Sequence, residues 1–293
     1  MNSKIAYALL AFSTICWGVA SPFSDLAVES FSPVALTVIQ SLVGALLLGT
    51  ILLFRRSKVR IPWRLAIILG VLEPGLTFYF ANLGFQRSTV SIGIMILSLE
   101  TIFIVLIGLL WLKERVTSIE WIAVLIGISG AVIGANPWNG STGASPLAIL
   151  FFSLAALTAA LYVVTVRKYG VNVDVYALAF GQMVASTIFC ALVFLLTPGR
   201  YVAKSYELKF TGSAILAGLF GVGLAFLSFT IAAKKIKAAH LGIALNFILV
   251  IAMVGSWILG RGIPKLPQII GAVLVLFSLQ ALSWNQRRSN AAL

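Results

Sequence analysis

Leu112-Lys113-Glu114-Arg115-Val116-Thr117-Ser118-Ile119-Glu120-Trp121-Ile122 separates two long apolar runs. A related stretch, Leu259-Gly260-Arg261-Gly262-Ile263-Pro264-Lys265-Leu266-Pro267-Gln268-Ile269-Ile270-Gly271, does the same near the end of the chain. Walking back from this pair, Gly75-Leu76-Thr77-Phe78 recurs as Gly223-Leu224-Ala225-Phe226, and Ser91-Ile92-Gly93-Ile94 as His240-Leu241-Gly242-Ile243. The offset holds at roughly 147 to 149 residues, about half the chain, as a tandem duplication leaves it. The expected halves are residues 1–140 and 141–293, each with five apolar runs, inside one integral membrane unit.

The composition requires a membrane. Hydrophobic residues make up 60% of the 293, charged residues 10%, and the mean hydropathy is +1.07; a soluble domain carries about 25% charged residues. Runs of about 20 apolar residues suffice to cross a hydrocarbon core of roughly 30 Å. Ten are expected, at about 5–26, 33–54, 65–85, 90–111, 119–136, 145–166, 174–196, 211–233, 240–259 and 266–284. Short breaks with turn and charge residues separate them, among them Ser32-Pro33, Arg55–Arg60, Asn136–Gly140 and Thr197-Pro198-Gly199. Backbone groups cannot go unpaired in lipid, so the spans are helices or a closed barrel. Barrel strands alternate in hydrophobicity and these runs do not. The fold expected is an all-α polytopic membrane protein.

Basic residues orient it. With the N-terminus in the cytoplasm, 15 of the 21 Lys and Arg fall on the inside and 6 outside (Arg87, Arg200, Lys204, Lys209, Arg261 and Lys265). This asymmetry predicts both termini inside and an even number of crossings. The net charge of +13 is then topological, drawn toward anionic lipid headgroups rather than nucleic acid. Five crossings per copy is odd, so the second copy enters from the opposite face. Two inverted five-helix repeats around a central cavity give a site that opens alternately to each side.

The N-terminus offers a second reading. Lys4, an apolar run and Val19-Ala20-Ser21 resemble a secretory signal. The repeat favours an uncleaved first helix, with Trp17 there and Tyr162 in the sixth at similar heights. Cys16 and Cys190 lie singly within spans and read as small apolar fillers, with neither a disulfide nor a metal expected.

Glu73 and Glu100 are the two well-immersed carboxylates. A charge at the bilayer centre costs about 2.5–3.5 kcal/mol on insertion scales, so such residues face the bundle interior. Glu73 precedes Pro74-Gly75, which frees a backbone carbonyl and predicts a bend; it reads as a proton site, or as a protonated hydrogen-bonding group at that bend. Glu100, in Leu97-Ser98-Leu99-Glu100-Thr101, reads as cavity lining or as helix-to-helix glue. Phe78, Tyr79, Phe80 and Asn82 follow in the third span, with Phe78 and Asn82 on one face. The stripe recurs at Phe226, Ser228 and Phe229. Opposite topology brings Phe78 and Phe226 face to face near the midplane, as packing or as a binding wall. Gln40 and Gln182, at matching places, read first as ties between helices. Asn246 is polar within span 9. His240, the only histidine, reads first as a headgroup-level or capping residue. Gly130-Ala131-Val132-Ile133-Gly134 reads as close packing or a dimer seam, hence a monomer or weak dimer. The sequence shows no P-loop, dinucleotide fingerprint, metal spacing or nucleophile elbow, so no cofactor is expected, and ATP-driven pumping by this chain alone is excluded. An intramembrane lipid-modifying enzyme would need a titratable cluster at one headgroup plane, and the titratable residues are scattered.

These motifs carry a resemblance. Cys16-Trp17-Gly18, and Ile96-Leu97-Ser98-Leu99-Glu100-Thr101-Ile102-Phe103 running into Leu112-Lys113-Glu114-Arg115 and Glu120-Trp121, resemble the ten-helix EamA branch of the drug/metabolite transporter superfamily. The second half is weaker, with Gly260-Arg261-Gly262 where an acid usually precedes the base; Pro264, Gln268 and Gly271 fit. Within the branch the chain is most similar to YddG-type exporters of aromatic amino acids. The resemblance implies a basket of helices 1, 3, 4, 6, 8 and 9, with 2 and 7 outside and 5 and 10 peripheral, in the bacterial inner membrane. It also implies a small-molecule substrate, meeting Trp17, Phe78, Tyr79, Asn82, Ser98, Glu100, Tyr162, Phe226 and Asn246. Four-helix multidrug members carry a glutamate in helix 1. Here that helix has Trp17 at its middle and Asp25 at its far end, which argues against proton-coupled drug exchange of that type. The expected activity is export or facilitated passage of aromatic and other hydrophobic amino acids; the alternative is proton-coupled multidrug export.

Overall fold

Ser32 and Pro33 open a helix as the sequence suggests: the Ser32 hydroxyl accepts from Ala35 N at 3.4 Å and Pro33 takes the first turn. Ser145-Pro146 repeats this device with Ala148 N at 3.2 Å. Asp174 caps its helix by accepting from the backbone N–H groups of Tyr176 and Ala177, both at 3.0 Å. The computed structural model describes residues 3–55, 60–113, 116–135, 145–170, 172–260, 265–274 and 276–278.

Among the described residues, eight helices are long and apolar enough to cross a membrane: α1 (Ser3–Ala27), α2 (Pro33–Phe54), α3 (Trp63–Phe85), α4 (Ile92–Leu112), α6 (Pro146–Tyr169), α7 (Val175–Leu196), α8 (Leu208–Ala233) and α9 (His240–Ile258). Shorter apolar helices stand at the fifth and tenth places: Trp121–Gly130 within α5 (Ser118–Ala135), and α10 (Leu266–Ser278). Eight of the ten expected spans thus have bilayer length among the described residues. Residues 279–284 of the expected tenth span, Glu114, Arg115, Arg261 and the 136–144 connection lie outside the described residues. Among those described, the backbone is helical apart from turns and one isolated antiparallel bridge, Phe31 to Ala203. Leu110, Leu196 and Leu208 are more than 80% exposed, a surface suited to lipid and not to water.

The helices are broken where the site lies. In α3, Glu73 leaves the helical path with φ −150° and ψ 127°, and the turns around it widen. The freed carbonyls find partners, as lipid requires. Thr77 Oγ1 donates to Leu72 O at 3.0 Å, Gln182 Nε2 to Glu73 O at 2.7 Å, and Cys190 Sγ to Gly75 O at 3.8 Å. The matching stretch of α8, Gly218–Leu224, is also wide-turned. Turns interrupt α4 at Ser98 and α9 at Asn246, about 148 residues apart, the spacing of the sequence repeat.

Polar side chains and close backbone contact hold the bundle, since lipid supplies little hydrophobic drive between helices. Ser41 and Ser186 hydroxyls bond at 2.9 Å between α2 and α7, and Thr77 and Thr158 at 2.8 Å between α3 and α6. A Cβ on Gly18 would come within 2.5 Å of Ile251 Cβ, so only glycine lets α1 and α9 approach this closely. A Cβ on Gly127 of α5 would come within 2.8 Å of Asn246 Nδ2 and 3.2 Å of Ser278 Oγ, an internal use for the small-residue stripe.

Candidate functional site

Helices α1, α3, α4, α6 and α9 enclose a cavity of about 110 Å³. Its rings are Trp17, Phe78 and Phe85. Its polar groups include Ser21, Ser24, Glu73, Thr77, Asn82, Ser98, Glu100, Thr101 and Asn246. The broken helices explain why these side chains meet. The extended turn at Glu73 puts its side chain on the cavity while its carbonyl goes to Gln182. The turns at Ser98 and Asn246 bring α4 and α9 together, where Thr101 Oγ1 shares its proton between Gly242 O at 2.9 Å and Asn246 Oδ1 at 2.8 Å.

Seven sequence-selected residues thus share one cavity: Trp17, Glu73, Phe78, Asn82, Ser98, Glu100 and Asn246. Three do not line it. Tyr162 and Phe226 are fully buried and form a second layer with Phe229. The Trp17 ring packs edge-on against Phe226 and Phe229, each at 5.2 Å, and Tyr162 lies 5.4 Å from Phe226. Phe78 and Phe226 do meet, at 6.1 Å, as the repeat predicts, but as wall and backing. Tyr79 stacks on Phe80 at 5.9 Å, turned from the cavity because successive helical residues rotate about 100°. Helix α8, expected in the basket, contributes no lining residue and only this backing layer. Gln40 and Gln182 act as ties: Gln40 donates to Ser24 at 2.8 Å and accepts from Asn82 at 3.2 Å.

One end is sealed. Leu10, Ile104 and Leu241 are buried in one hydrophobic cluster a turn or two beyond the polar floor. Past them Tyr7 Oη and His240 Nδ1 lie 3.2 Å apart, in a hydrogen bond whose direction follows the imidazole tautomer. Sequence reasoning gave His240 a capping role and missed this pairing across α1 and α9, since 233 residues separate the partners. Toward the other end lies a polar vestibule of about 760 Å³, lined by Asp25, Glu29, Arg87, Lys204 and Ser256 among others. Phe85 lines both spaces and packs on Phe152 at 5.2 Å. It too was missed; its place, just before Gln86-Arg87 at the end of a span, was the available sign. Thr101 was legible as the neighbour of Glu100. Among the described residues, no three His, Cys, Asp or Glu gather as metal ligands do.

The arrangement can hold a small body with an apolar ring on one side and polar atoms on the other, between an apolar end and a polar one.

Known proteins agree. The model of the EamA-like transporter family matches residues 4–134 and again 146–284. An uncharacterized transporter of Archaeoglobus fulgidus is 22% identical over 276 residues, covering 93% of this chain and 96% of the relative. The uncharacterized transporter YdfC of Bacillus subtilis is 25% identical over 293 residues, covering 94% and 90%. A solved crystal structure superposes with a TM-score of 0.81 at 19% identity, across 98% of this chain and 99% of that one, which speaks for the fold. The chain is a multi-pass membrane protein and belongs to the EamA-like transporter family.

Proposed function

We propose that this protein exports, or lets pass down their gradient, aromatic and other hydrophobic amino acids or similar amphipathic metabolites across a bacterial inner membrane by alternating access. The observation that carries this reading is the ring-walled, polar-floored cavity lying between a sealed end and an open vestibule. A gated passage needs such a space, and the apolar rings suit apolar side chains. In this arrangement the chain forms ten transmembrane helices as two inverted repeats, residues 1–140 and 141–293, working as a monomer or weak dimer. Both termini are cytoplasmic, so the vestibule faces the periplasm and the Tyr7–His240 contact closes the inner side. The twofold match of the family model supports the duplication.

A second reading has its own support: Glu73 and Glu100 share the cavity and offer a place for a coupling proton. A liposome uptake screen of amino acids with the pH gradient varied separates the two. The facilitator takes up substrate with no gradient. The antiporter depends strictly on the gradient and loses that dependence when Glu73 or Glu100 becomes Gln.

A further inference from the structure

We propose that the central cavity selects cargo by a positive end: an amphipathic amine, with a ring or alkyl body, an ammonium group and no carboxylate. This keeps the amphipathic metabolites of the proposed function, sets amino acids below them as cargo, and rests on the reading of the cavity as the transport site.

The lining chemistry is one-sided. Glu73 is only 7% exposed, and both it and Glu100 line the cavity. Among the described residues no donor and no cationic side chain meets either carboxyl group. No described Lys, Arg or His lines the space. Among the described residues, the cations that line the vestibule, past Phe85, are Arg87 and Lys204, and both have partners. Arg87 donates to Leu83 O at 2.9 Å and lies 5.3 Å from the Phe151 ring, and Lys204 lies 5.8 Å from that of Tyr201.

The neutral donors are largely spent on the protein itself. Ser21 donates to Trp17 O, Ser98 to Met95 O and Asn82 Nδ2 to Thr37 and Gln40. Asn246 Nδ2 has no hydrogen-bond partner and lies against α5, 2.8 Å from where a Cβ on Gly127 would sit. Trp17 Nε1 is likewise without a partner. A zwitterion therefore brings its carboxylate next to two acidic side chains, with no lining cation and few unspent neutral donors to receive it. An ammonium group supplies the charge the two carboxyls lack and a buried carboxylate needs. The faces of Trp17, Phe78 and Phe85 add cation–π attraction, which indole gives best.

The test is equilibrium binding to the purified protein at fixed, near-neutral pH, with four probes sharing one ring: phenethylamine, phenyltrimethylammonium, phenylalanine and hydrocinnamate. Phenyltrimethylammonium cannot lose its charge. The two cations are expected to bind at least about tenfold more tightly than phenylalanine, and hydrocinnamate not at all. Glu73→Gln and Glu100→Gln, checked for folding by size exclusion, are expected to weaken the cations about tenfold or more without weakening phenylalanine. Phenylalanine binding as tightly as phenethylamine to the wild-type protein overturns the proposal whatever the variants do, as do cations that bind both folded Gln variants unchanged. Counterflow of the same probes in liposomes separates the two claims. Tight cation binding with no counterflow of any probe upholds charge selection and sinks the exporter; counterflow of phenylalanine with no preference for cations does the reverse.

Discussion

Gln182 Nε2 on α7 donates a 2.7 Å hydrogen bond to the carbonyl oxygen of Glu73, where α3 leaves its helical path. One half of the chain thereby supports the backbone of the other at the turn that presents a cavity carboxyl. Leaving that buried carbonyl unpaired costs about 1–3 kcal/mol. Gln182→Leu is expected to lower the melting temperature in detergent by several degrees and to slow transport. A variant that melts with the wild type shows that the bond does not hold the turn.

Trp17 has two jobs that substitutions can separate. Its ring packs on Phe226 and Phe229, and it also faces the cavity. Truncating a buried ring to alanine costs about 3–5 kcal/mol in well-packed cores. Trp17→Ala is expected to be less stable as well as altered in uptake. Trp17→Phe keeps most of the packing and removes the unpartnered N–H, so it is expected to fold normally with changed substrate affinity. Wild-type binding and uptake in Trp17→Phe removes that N–H from the site.

Phe85 is the partition between vestibule and cavity. In a background lacking Cys16 and Cys190, Ser98→Cys reports access to the cavity. Adding Phe85→Ala is expected to speed labelling of that thiol by an impermeant reagent several-fold from the vestibule side. An unchanged rate means the barrier lies elsewhere.

Topology follows from the charge asymmetry. Cysteines placed at Ser57 and Ser141, in the same background, are expected to label from the cytoplasm and the periplasm respectively. Labelling of Ser57→Cys from the periplasm reverses the assignment of every face.

Much of the fold was legible because lipid leaves few choices. Apolar runs of bilayer length between Ser-Pro, Gly and Lys/Arg breaks mark helices by themselves, and Glu73-Pro74-Gly75 marked the break in α3. Cavity residues were legible where a polar side chain stands alone in an apolar run, as with Asn82, Glu100 and Asn246. Depth was not. Tyr162 and Phe226 read like wall residues, yet α6 and α8 pack so that these rings back Trp17. An apolar helix gives little sign of which face meets the cavity, since core and lipid faces are both hydrophobic; the Phe85 partition and the Tyr7–His240 contact depend on distant packing for the same reason.

The central claim is that cargo passes through the cavity between the Tyr7–His240 contact and Phe85. Counterflow in liposomes tests it, using Ser98→Cys in the cysteine-free background and a ring-bearing substrate from the uptake screen, before and after thiol modification. The account predicts uptake accelerated by substrate loaded on the far side, without a pH gradient, and abolished once the thiol is capped. Full-rate counterflow with the Ser98→Cys thiol completely modified would contradict it.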